Sequence, residues 1–228
     1  MAQTWENLLF AHWPLAAATL APRIPADLAL DTRDGTAWLA ITPFRLTGLR
    51  LRGLPAIPGL SGFPEINVRT YVIRDGRPGV FFFSLDAGSR LAVAAARRWY
   101  RLPYHHARFS IDHRDGRVTY ASRRATGSPA EFSVVYEPTG AVSPATRGSL
   151  AWWLTERYSL YTAGSSGLYR ADIEHQPWPL QPARVEIARN TMADGLGVDV
   201  RERPPVTHFA ARLDVRVGPL RRVHRAYH

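Results

Sequence analysis

The sequence predicts an α+β fold, a mainly antiparallel β-barrel with a few flanking helices, formed by a single domain over residues 1–228. An Arg-Asp-Gly tripeptide occurs three times between strand-like runs, at 33–35, 74–76 and 114–116. Asp-Gly flanked by alternating apolar residues is a strong hairpin signal, because glycine accepts the positive φ of a tight turn. Segments with helical periodicity are few, and a chain of 228 residues is long enough to bury a full core.

The three turns predict three hairpins, which pair 28–31 with 37–42, 66–73 with 79–85, and 105–112 with 117–123. Five further runs are rich in β-branched and aromatic residues, which is typical of strands. These runs span 131–137, 158–162, 168–174, 183–188 and 206–216. Many strands joined by tight turns favour an antiparallel sheet that curls into a barrel.

Four segments favour helix. Residues 3–12 place apolar side chains at helical spacing, and residues 15–20 follow Pro14, which suits a first helical position. Residues 89–100 give the strongest prediction, since they are alanine-rich and end in arginines, where the helix dipole favours cations. Residues 149–158 form the fourth predicted helix.

The basic residues restrict the chemistry of the protein. All 29 are arginine, against 19 acidic residues, so the net charge is +10. No side-chain amine is available for a Schiff base, because a guanidinium stays protonated and does not condense with carbonyls. Residues 201–228 hold seven arginines and two acidic residues, which raises nucleic-acid binding as an alternative function. No recognition-helix or RNP-like pattern accompanies this charge, so we do not expect nucleic acid as a partner.

Other composition features bear on cofactors and location. The chain has no cysteine, which excludes a thiolate nucleophile and cysteine-ligated metals, and we expect neither a metal nor another cofactor. No apolar run approaches the roughly 18 residues of a membrane span, and residues 1–7 lack the basic start of a secretory signal. We therefore expect a cytoplasmic protein with no membrane partner, whose partner is a small-molecule ligand. The sequence leaves open whether the protein forms a homo-oligomer.

The strand over residues 62–72 carries the strongest functional signal. Beyond Pro64, successive side chains point to opposite faces, so that Glu65, Asn67, Arg69 and Tyr71 share one face. Four different functional groups in a row predict the wall of a polar cavity. We interpret Glu65 and Arg69 as catalytic candidates, a general acid or base and a cation that holds an oxygen, and Asn67 and Tyr71 as substrate-binding donors. The alternative is a structural polar network between Glu65 and Arg69.

The other face of this strand is apolar or β-branched. It carries Ile66, Val68, Thr70 and Val72. We expect helices to cover this face on the outside of the barrel.

A second alternating polar face follows the third Arg-Asp-Gly turn. Tyr120, Ser122 and Arg124 are predicted to line the same cavity as substrate-binding residues, with an outer solvated face as the alternative. His105 lies on an apolar strand face and is a third catalytic candidate, as an acid or base, although such a histidine is more often a hydrogen-bonded core residue.

Two other groups are interpreted structurally. Glu156 and Arg157 end the fourth predicted helix, where a buried Arg–Glu pairing between helix and barrel is expected. Trp5 and Trp178 are predicted to line the core or the cavity.

Several strings, collinear over nearly the whole chain, resemble the YqjF-like family of bacterial proteins. They lie at 12–13, 43–45, 63–71, 83–87, 102–104, 155–158 and 177–180. The Pro-Glu-Ile-Asn-Val-Arg-Thr-Tyr string within 63–71 is the most specific of them. The family is a domain of unknown function, so the resemblance implies a fold and no activity.

A weaker similarity reaches the acetoacetate decarboxylase-like superfamily, through residues 24–31. The resemblance implies a β-barrel with a funnel-shaped interior, and it places Glu65 where the decarboxylase has an active-site glutamate. Residues 98–105 correspond to the lysine-bearing turn of that enzyme. Residues 98–101, Arg-Trp-Tyr-Arg, cannot form an imine, so the similarity supports the cavity and argues against the decarboxylase reaction.

These observations predict a small-molecule-binding β-barrel protein whose ligand is a small oxygenated or anionic organic compound. If the protein is an enzyme, proton transfer on a carbonyl compound, as in a lyase, isomerase or hydratase without a Schiff base, suits Glu65 and Arg69. The first alternative is a non-catalytic ligand-binding or sensing module, and the second is an arginine-driven nucleic-acid binder.

Overall fold

One large, curved β-sheet makes up most of the fold. The structure, a computed structural model, describes residues 1–50, 62–164, 167–201 and 206–223. Across these residues thirteen strands hydrogen-bond into one sheet. In chain order they are β1 (Ala2–Ala16), β2 (Ala29–Leu30), β3 (Thr36–Arg50), β4 (Gly62–Arg74), β5 (Arg77–Ala87), β6 (Tyr104–Arg114), β7 (Arg117–Arg124), β8 (Glu131–Pro138), β9 (Ser159–Gly164), β10 (Gly167–His175), β11 (Gln181–Asn190), β12 (Val206–Val217) and β13 (Arg221–Arg222).

The described helices are short. They are α1 (Ala17–Leu20), α2 (Arg90–Trp99) and α3 (Leu150–Thr155), with 3₁₀ turns at Ala21–Arg23 and Asp194–Leu196. Ser89 and Ser149 cap α2 and α3, since their side chains accept the backbone N–H groups of Ala92 and Trp152 at 3.2 Å. The predicted helices at 89–100 and 149–158 are therefore confirmed, the second one shorter than expected.

The sheet order is β13-β10-β9-β5-β6-β7-β8-β11-β12-β1-β3-β4-β2, with further pairings of β10 with β12 and of β5 with β4. These extra pairings bring the sheet back on itself. Among the described pairs, β5 runs parallel to both β6 and β9 and the others are antiparallel. The prediction of a mainly antiparallel β fold with few helices is confirmed.

Two buried clusters lie on opposite faces of the strands they share. The cavity-side core includes Phe10, Phe82 and Trp178. The opposite core includes Trp13 and Tyr120, with further side chains from β8. Because β1 and β4 lie between these clusters, side chains on both of their faces are buried.

The predicted helix over residues 3–12 is wrong, because these residues belong to β1. Within β1, Leu8 packs in the cavity-side core and Leu9 in the opposite core. A strand buried on both faces has a continuous apolar run, which periodicity alone does not distinguish from a buried helix. The helix predicted over 15–20 is reduced to α1.

Two of the three predicted hairpins are confirmed, β4 with β5 and β6 with β7. The pairing of 28–31 with 37–42 is wrong, since β2 pairs with β4 instead. Both edges of β3 are occupied, by β1 on one side and β4 on the other, so β2 has no edge of β3 to join. The five further predicted strands are present as β8 to β12.

The covering of the apolar face of β4 was also predicted incorrectly. Ile66 and Val68 are fully buried in the opposite core, where strand side chains such as Val118 and Phe132 surround them in place of helices. The two faces of β4 thus separate an apolar core from a cavity to which β4 contributes polar side chains.

Candidate functional site

The polar face of β4 forms one wall of an internal cavity of about 90 Å³. Glu65, Asn67 and Arg69 line it, and each side chain is buried. Tyr71, next on the same face, is fully buried beyond the cavity wall, in contact with Trp153 and below the guanidinium of Arg157. Strand alternation therefore located three of the four expected side chains in the cavity and placed the fourth behind it.

Glu65 is a buried carboxyl group held by hydrogen bonds. The Tyr104 hydroxyl donates to Glu65 Oε2 at 2.9 Å, and the Tyr120 hydroxyl donates to the Glu65 carbonyl oxygen at 2.8 Å. Burial, and secondarily the charge of Asp86, raise the pKa of Glu65 from 4.5 to about 8, against the opposing effect of the Tyr104 hydrogen bond. At neutral pH most Glu65 side chains are therefore protonated.

Arg69 is a buried cation without an anionic partner. Its guanidinium lies over the Phe10 ring, 5.4 Å from the centroid, and forms no ion pair with a carboxylate of the described residues. Its Nε atom is buried without a hydrogen-bond partner. Burial lowers the pKa of Arg69, and the Arg157 charge lowers it further, whereas Tyr71 raises it. An unpaired buried charge is costly, so a bound anion would relieve a real penalty.

Arg157 is a second guanidinium in the cavity wall, and the sequence did not identify it as a site residue. Its Nη1 pairs with Asp31 Oδ2 at 2.6 Å and its Nε donates to the Trp153 carbonyl oxygen at 2.7 Å. Its Nη2 is buried without a partner. The expected Arg–Glu pairing is replaced by this Arg–Asp pair, because Glu156 accepts the backbone N–H of Trp178 at 3.0 Å instead.

Unsatisfied polar atoms concentrate around the cavity. Within the described residues, six cavity-lining side chains have a buried nitrogen or oxygen without a hydrogen-bond partner: Trp5, Thr42, Asn67, Arg69, Arg157 and Trp178. Four of these atoms are N–H donors and a fifth is a hydroxyl, whereas the Asn67 oxygen is a pure acceptor. Because buried polar groups are normally hydrogen-bonded, this wall is suited to a ligand rich in acceptor oxygens.

The side chains predicted on β7 lie outside the cavity. Tyr120 is in the opposite core, and Ser122 is buried on the same strand without lining the cavity. Arg124 forms a bidentate ion pair with Asp86, with Nε and Nη2 donating to Oδ2 and Oδ1 at 2.9 and 2.8 Å. The prediction that these three residues share a cavity with Arg69 is wrong, since β7 covers the other side of β4. Tyr120 acts on the site only by holding the Glu65 carbonyl group.

His105 is also outside the cavity. Its Nδ1 lies 3.1 Å from the Thr126 carbonyl oxygen, and burial lowers its pKa. The preceding residue, Tyr104, points into the cavity, so strand alternation turns His105 away. Tyr104 is the residue of β6 that reaches Glu65, and its only signal in the sequence was its place in the string at 102–104.

Within the part of the chain that the structure describes, no group of three or more His, Cys, Asp or Glu side chains is placed to hold a metal ion. Among the helices of the described ranges, none is long and apolar enough to cross a membrane.

Comparisons with known proteins identify close sequence relatives. Residues 2–214 match the family DUF2071, described as uncharacterised conserved proteins. The chain is 46% identical over 222 residues to the uncharacterised protein YqjF of Bacillus subtilis (strain 168), which covers 97% of this chain and 92% of that protein.

Solved structures share the fold at low identity. An acetoacetate decarboxylase-like enzyme from Sphingomonas wittichii RW1 matches with a TM-score of 0.66 and 14% identity, over 98% of this chain and 92% of that one. The enduracididine biosynthesis enzyme MppR, complexed with pyruvate, matches with a TM-score of 0.62 and 12% identity, over 96% and 89%. Acetoacetate decarboxylase from Legionella pneumophila matches with a TM-score of 0.59 and 13% identity, over 96% and 86%. The fold is therefore acetoacetate decarboxylase-like.

Proposed function

The chain belongs to the DUF2071 family, and from that premise we propose that its cavity binds a small organic anion and that Glu65 exchanges a proton with it. The resemblance to the YqjF-like family is confirmed by the match, but the relatives are themselves uncharacterised.

One observation carries the proposal: a buried guanidinium without an anionic partner lines the same cavity as a carboxyl group that is protonated at neutral pH. Arg69 supplies the first and Glu65 the second. The two residues are four positions apart on β4, with Asn67 between them, so their Cα atoms are separated by about 13 Å along the strand. This arrangement suits a ligand that has a carboxylate at one end and a carbonyl group beyond it.

The size of the cavity favours a compact ligand head. A dry cavity of roughly 150 Å³ accommodates benzene, so a space of about 90 Å³ fits a group of about four non-hydrogen atoms. A structural neighbour is complexed with pyruvate, a three-carbon keto acid. A short keto acid is therefore the ligand class that we propose.

The chemistry that suits these groups is proton transfer next to a carbonyl group. Arg69 and the free Nη2 of Arg157 hold the carboxylate, and N–H donors of the wall hold the carbonyl oxygen. Glu65, with a pKa of about 8, gives a proton in its acid form and accepts one in its ionised form near neutral pH. An imine route is not available to the side chains, because the chain has no lysine.

The sheet also favours exclusion of water from the cavity. We propose that the sheet closes as a β-barrel around the cavity-side core, and the pairings of β5 with β4 and of β10 with β12 support this proposal. In such a dry interior, charge–charge interactions between the ligand and Arg69 are screened less than at the surface.

Calorimetric titration tests the binding half of the proposal. We expect 2-oxobutanoate to bind the wild-type protein at least tenfold more tightly than the neutral 2-oxobutanamide, because only the acid pairs with Arg69. The variant Arg69→Met should lose this preference. Equal binding of acid and amide by the wild-type protein would contradict the proposal.

Hydrogen exchange tests the chemical half. In D₂O, we expect the protein to accelerate exchange of the C3 protons of 2-oxobutanoate, followed by ¹H NMR. The variant Glu65→Gln keeps the shape of the side chain, so it should retain binding and abolish the acceleration. Binding without any acceleration in the wild-type protein would identify a non-catalytic ligand-binding module instead.

A further inference from the structure

We propose that the ligand of this cavity carries an unbranched apolar chain, which lies in a groove beneath α2. This inference rests on the proposed function, because it extends the same ligand outward from its anionic head. It names the substrate class as an aliphatic acid or keto acid of medium chain length.

The groove adjoins the cavity that holds Glu65 and Arg69 directly. Its volume is about 170 Å³, and its wall is almost entirely apolar. It shares lining residues with the cavity, among them Leu46, Ala96, Tyr100 and Tyr104. Since the Tyr104 hydroxyl donates to Glu65, the shared wall lies next to the proposed reacting group.

The sequence of α2 explains why the groove is open. Ala92, Ala95, Ala96 and Trp99 line the groove at helical spacing of three, four and seven residues. Alanine is too short to fill the space between a helix and the underlying sheet, so three alanines on this face leave room. Trp99, at the end of the row, is 63% exposed, which leaves a large apolar surface at the rim of the groove.

The opposite side of α2 is different in character. Arg90, Ala94 and Arg97 line a broad, open depression there together with other arginines. The helix therefore separates an apolar groove from a basic surface, and the apolar side is the one that is continuous with the cavity.

The volumes of the groove and the cavity set the length of the ligand's apolar chain. A dry cavity of roughly 150 Å³ holds the six carbons of benzene, so the groove accommodates about six carbons. With a head of about four atoms in the cavity, two of them carbons, the preferred ligand has about eight carbons. Each methylene transferred from water into such a groove should tighten binding about fourfold.

Equilibrium titration with straight-chain monocarboxylates tests this inference. With butanoate, hexanoate, octanoate, decanoate and dodecanoate, we expect the Kd of the wild-type protein to fall about fourfold per methylene, up to about eight carbons, and then to level off. The variant Ala95→Leu adds three carbons to the groove, about half of its capacity, and Ala95 does not line the cavity. It should leave butanoate binding within about twofold and reduce the gain with ligand length.

The matched control is Ala94→Leu, which makes the same substitution on the exposed opposite side of α2 and should keep the wild-type dependence on chain length. A wild-type protein that binds butanoate with no gain for octanoate would overturn the inference and leave the proposed function standing. A wild-type gain in affinity with ligand length that persists in Ala95→Leu would also overturn the inference, because the apolar chain of the ligand would then lie elsewhere. Failure of 2-oxobutanoate to bind, together with the whole series, would instead refute the proposed function.

Discussion

At the scale of single residues, the site is built from groups that folding alone does not favour. Glu65 and Arg69 are both buried, and neither forms an ion pair with a described residue. Burial of such groups costs stability, so their presence in a cavity favours a functional reason for keeping them. The sequence predicted Glu65 and Arg69 as cavity residues because the alternation of a single strand, β4, places both side chains on one face. It did not predict Tyr104 and Arg157 there, since these residues come from separate elements and no local sequence pattern shows that the fold brings them to the cavity.

The unpaired charge of Arg69 makes a prediction about stability. In the ligand-free protein, Arg69→Met should raise the free energy of unfolding by about 1–4 kcal/mol, because it removes a buried charge that lacks a partner. The matched variant Arg157→Met should lower it by about 3–5 kcal/mol, because Asp31 then loses its ion-pair partner. Urea denaturation monitored by tryptophan fluorescence measures both. A loss of stability in Arg69→Met would indicate a structural role for that residue.

The raised pKa of Glu65 predicts a dependence of stability on pH. The folded protein keeps the Glu65 proton up to a pKa of about 8, whereas the unfolded chain releases it near 4.5. Between these values the folded state binds more protons, so stability falls as pH rises, by about 1.4 kcal/mol per pH unit from this group. Above pH 8 the slope from Glu65 disappears.

The variant Glu65→Gln isolates this contribution. His12 is buried with a pKa well below 6.5, so its effect on stability has the opposite sign below that pH, but it is common to both proteins. The difference in unfolding free energy between wild type and variant should therefore change steadily from pH 5 to 8. A difference that stays constant over this range would show that Glu65 is ionised in the folded protein.

At the scale of elements, the sequence was most informative where a local signal decides the structure. Asp75 and Gly76 both take a positive φ, of 50° and 70°, and the hairpin predicted around them forms. The strand β1 was missed because burial on both of its faces removes the alternation that distinguishes a strand. The pairing of β5 with β9 joins segments about eighty residues apart, and no local pattern specifies it.

Gly79 tests the close approach of β5 and β9. A Cβ atom at this position would lie 2.6 Å from the Ser159 carbonyl oxygen and 2.7 Å from the Tyr161 ring. Gly79→Ala should therefore lower the free energy of unfolding by about 1–3 kcal/mol, because backbone and ring must move apart. Gly195→Ala is the control, since its Cβ would meet no described atom within 4 Å, and it should change stability by less than about 0.5 kcal/mol. Equal effects of the two variants in urea titrations would contradict this packing.

At the scale of the whole molecule, the net charge of +10 and the cavity predict two kinds of binding with different salt dependence. Many described arginines on the surface pair with carboxylates, for example Arg184 with Glu137 and Arg201 with Asp194. Any association with nucleic acid should therefore be weak, non-specific and strongly reduced by salt.

Binding of 2-oxobutanoate and of DNA, each measured at two salt concentrations, tests this difference in salt dependence. Between 50 and 300 mM NaCl we expect the Kd for 2-oxobutanoate to change by less than about threefold, because Arg69 is buried from the ionic atmosphere. Anisotropy of a labelled DNA duplex should show binding, if any, only at the lower concentration. Duplex binding that persists at 300 mM NaCl would favour the nucleic-acid function over the one proposed.

A crystal structure of the protein with 2-oxobutanoate tests the central claim most directly, namely that Arg69 and Glu65 bind the two ends of one small anion. We predict carboxylate oxygens about 2.7–3.2 Å from the Arg69 guanidinium and the keto group of the same molecule within reach of Glu65. The claim would be contradicted by a ligand bound elsewhere while only water occupies the cavity, or by an Arg69 guanidinium that pairs with a carboxylate of the protein itself.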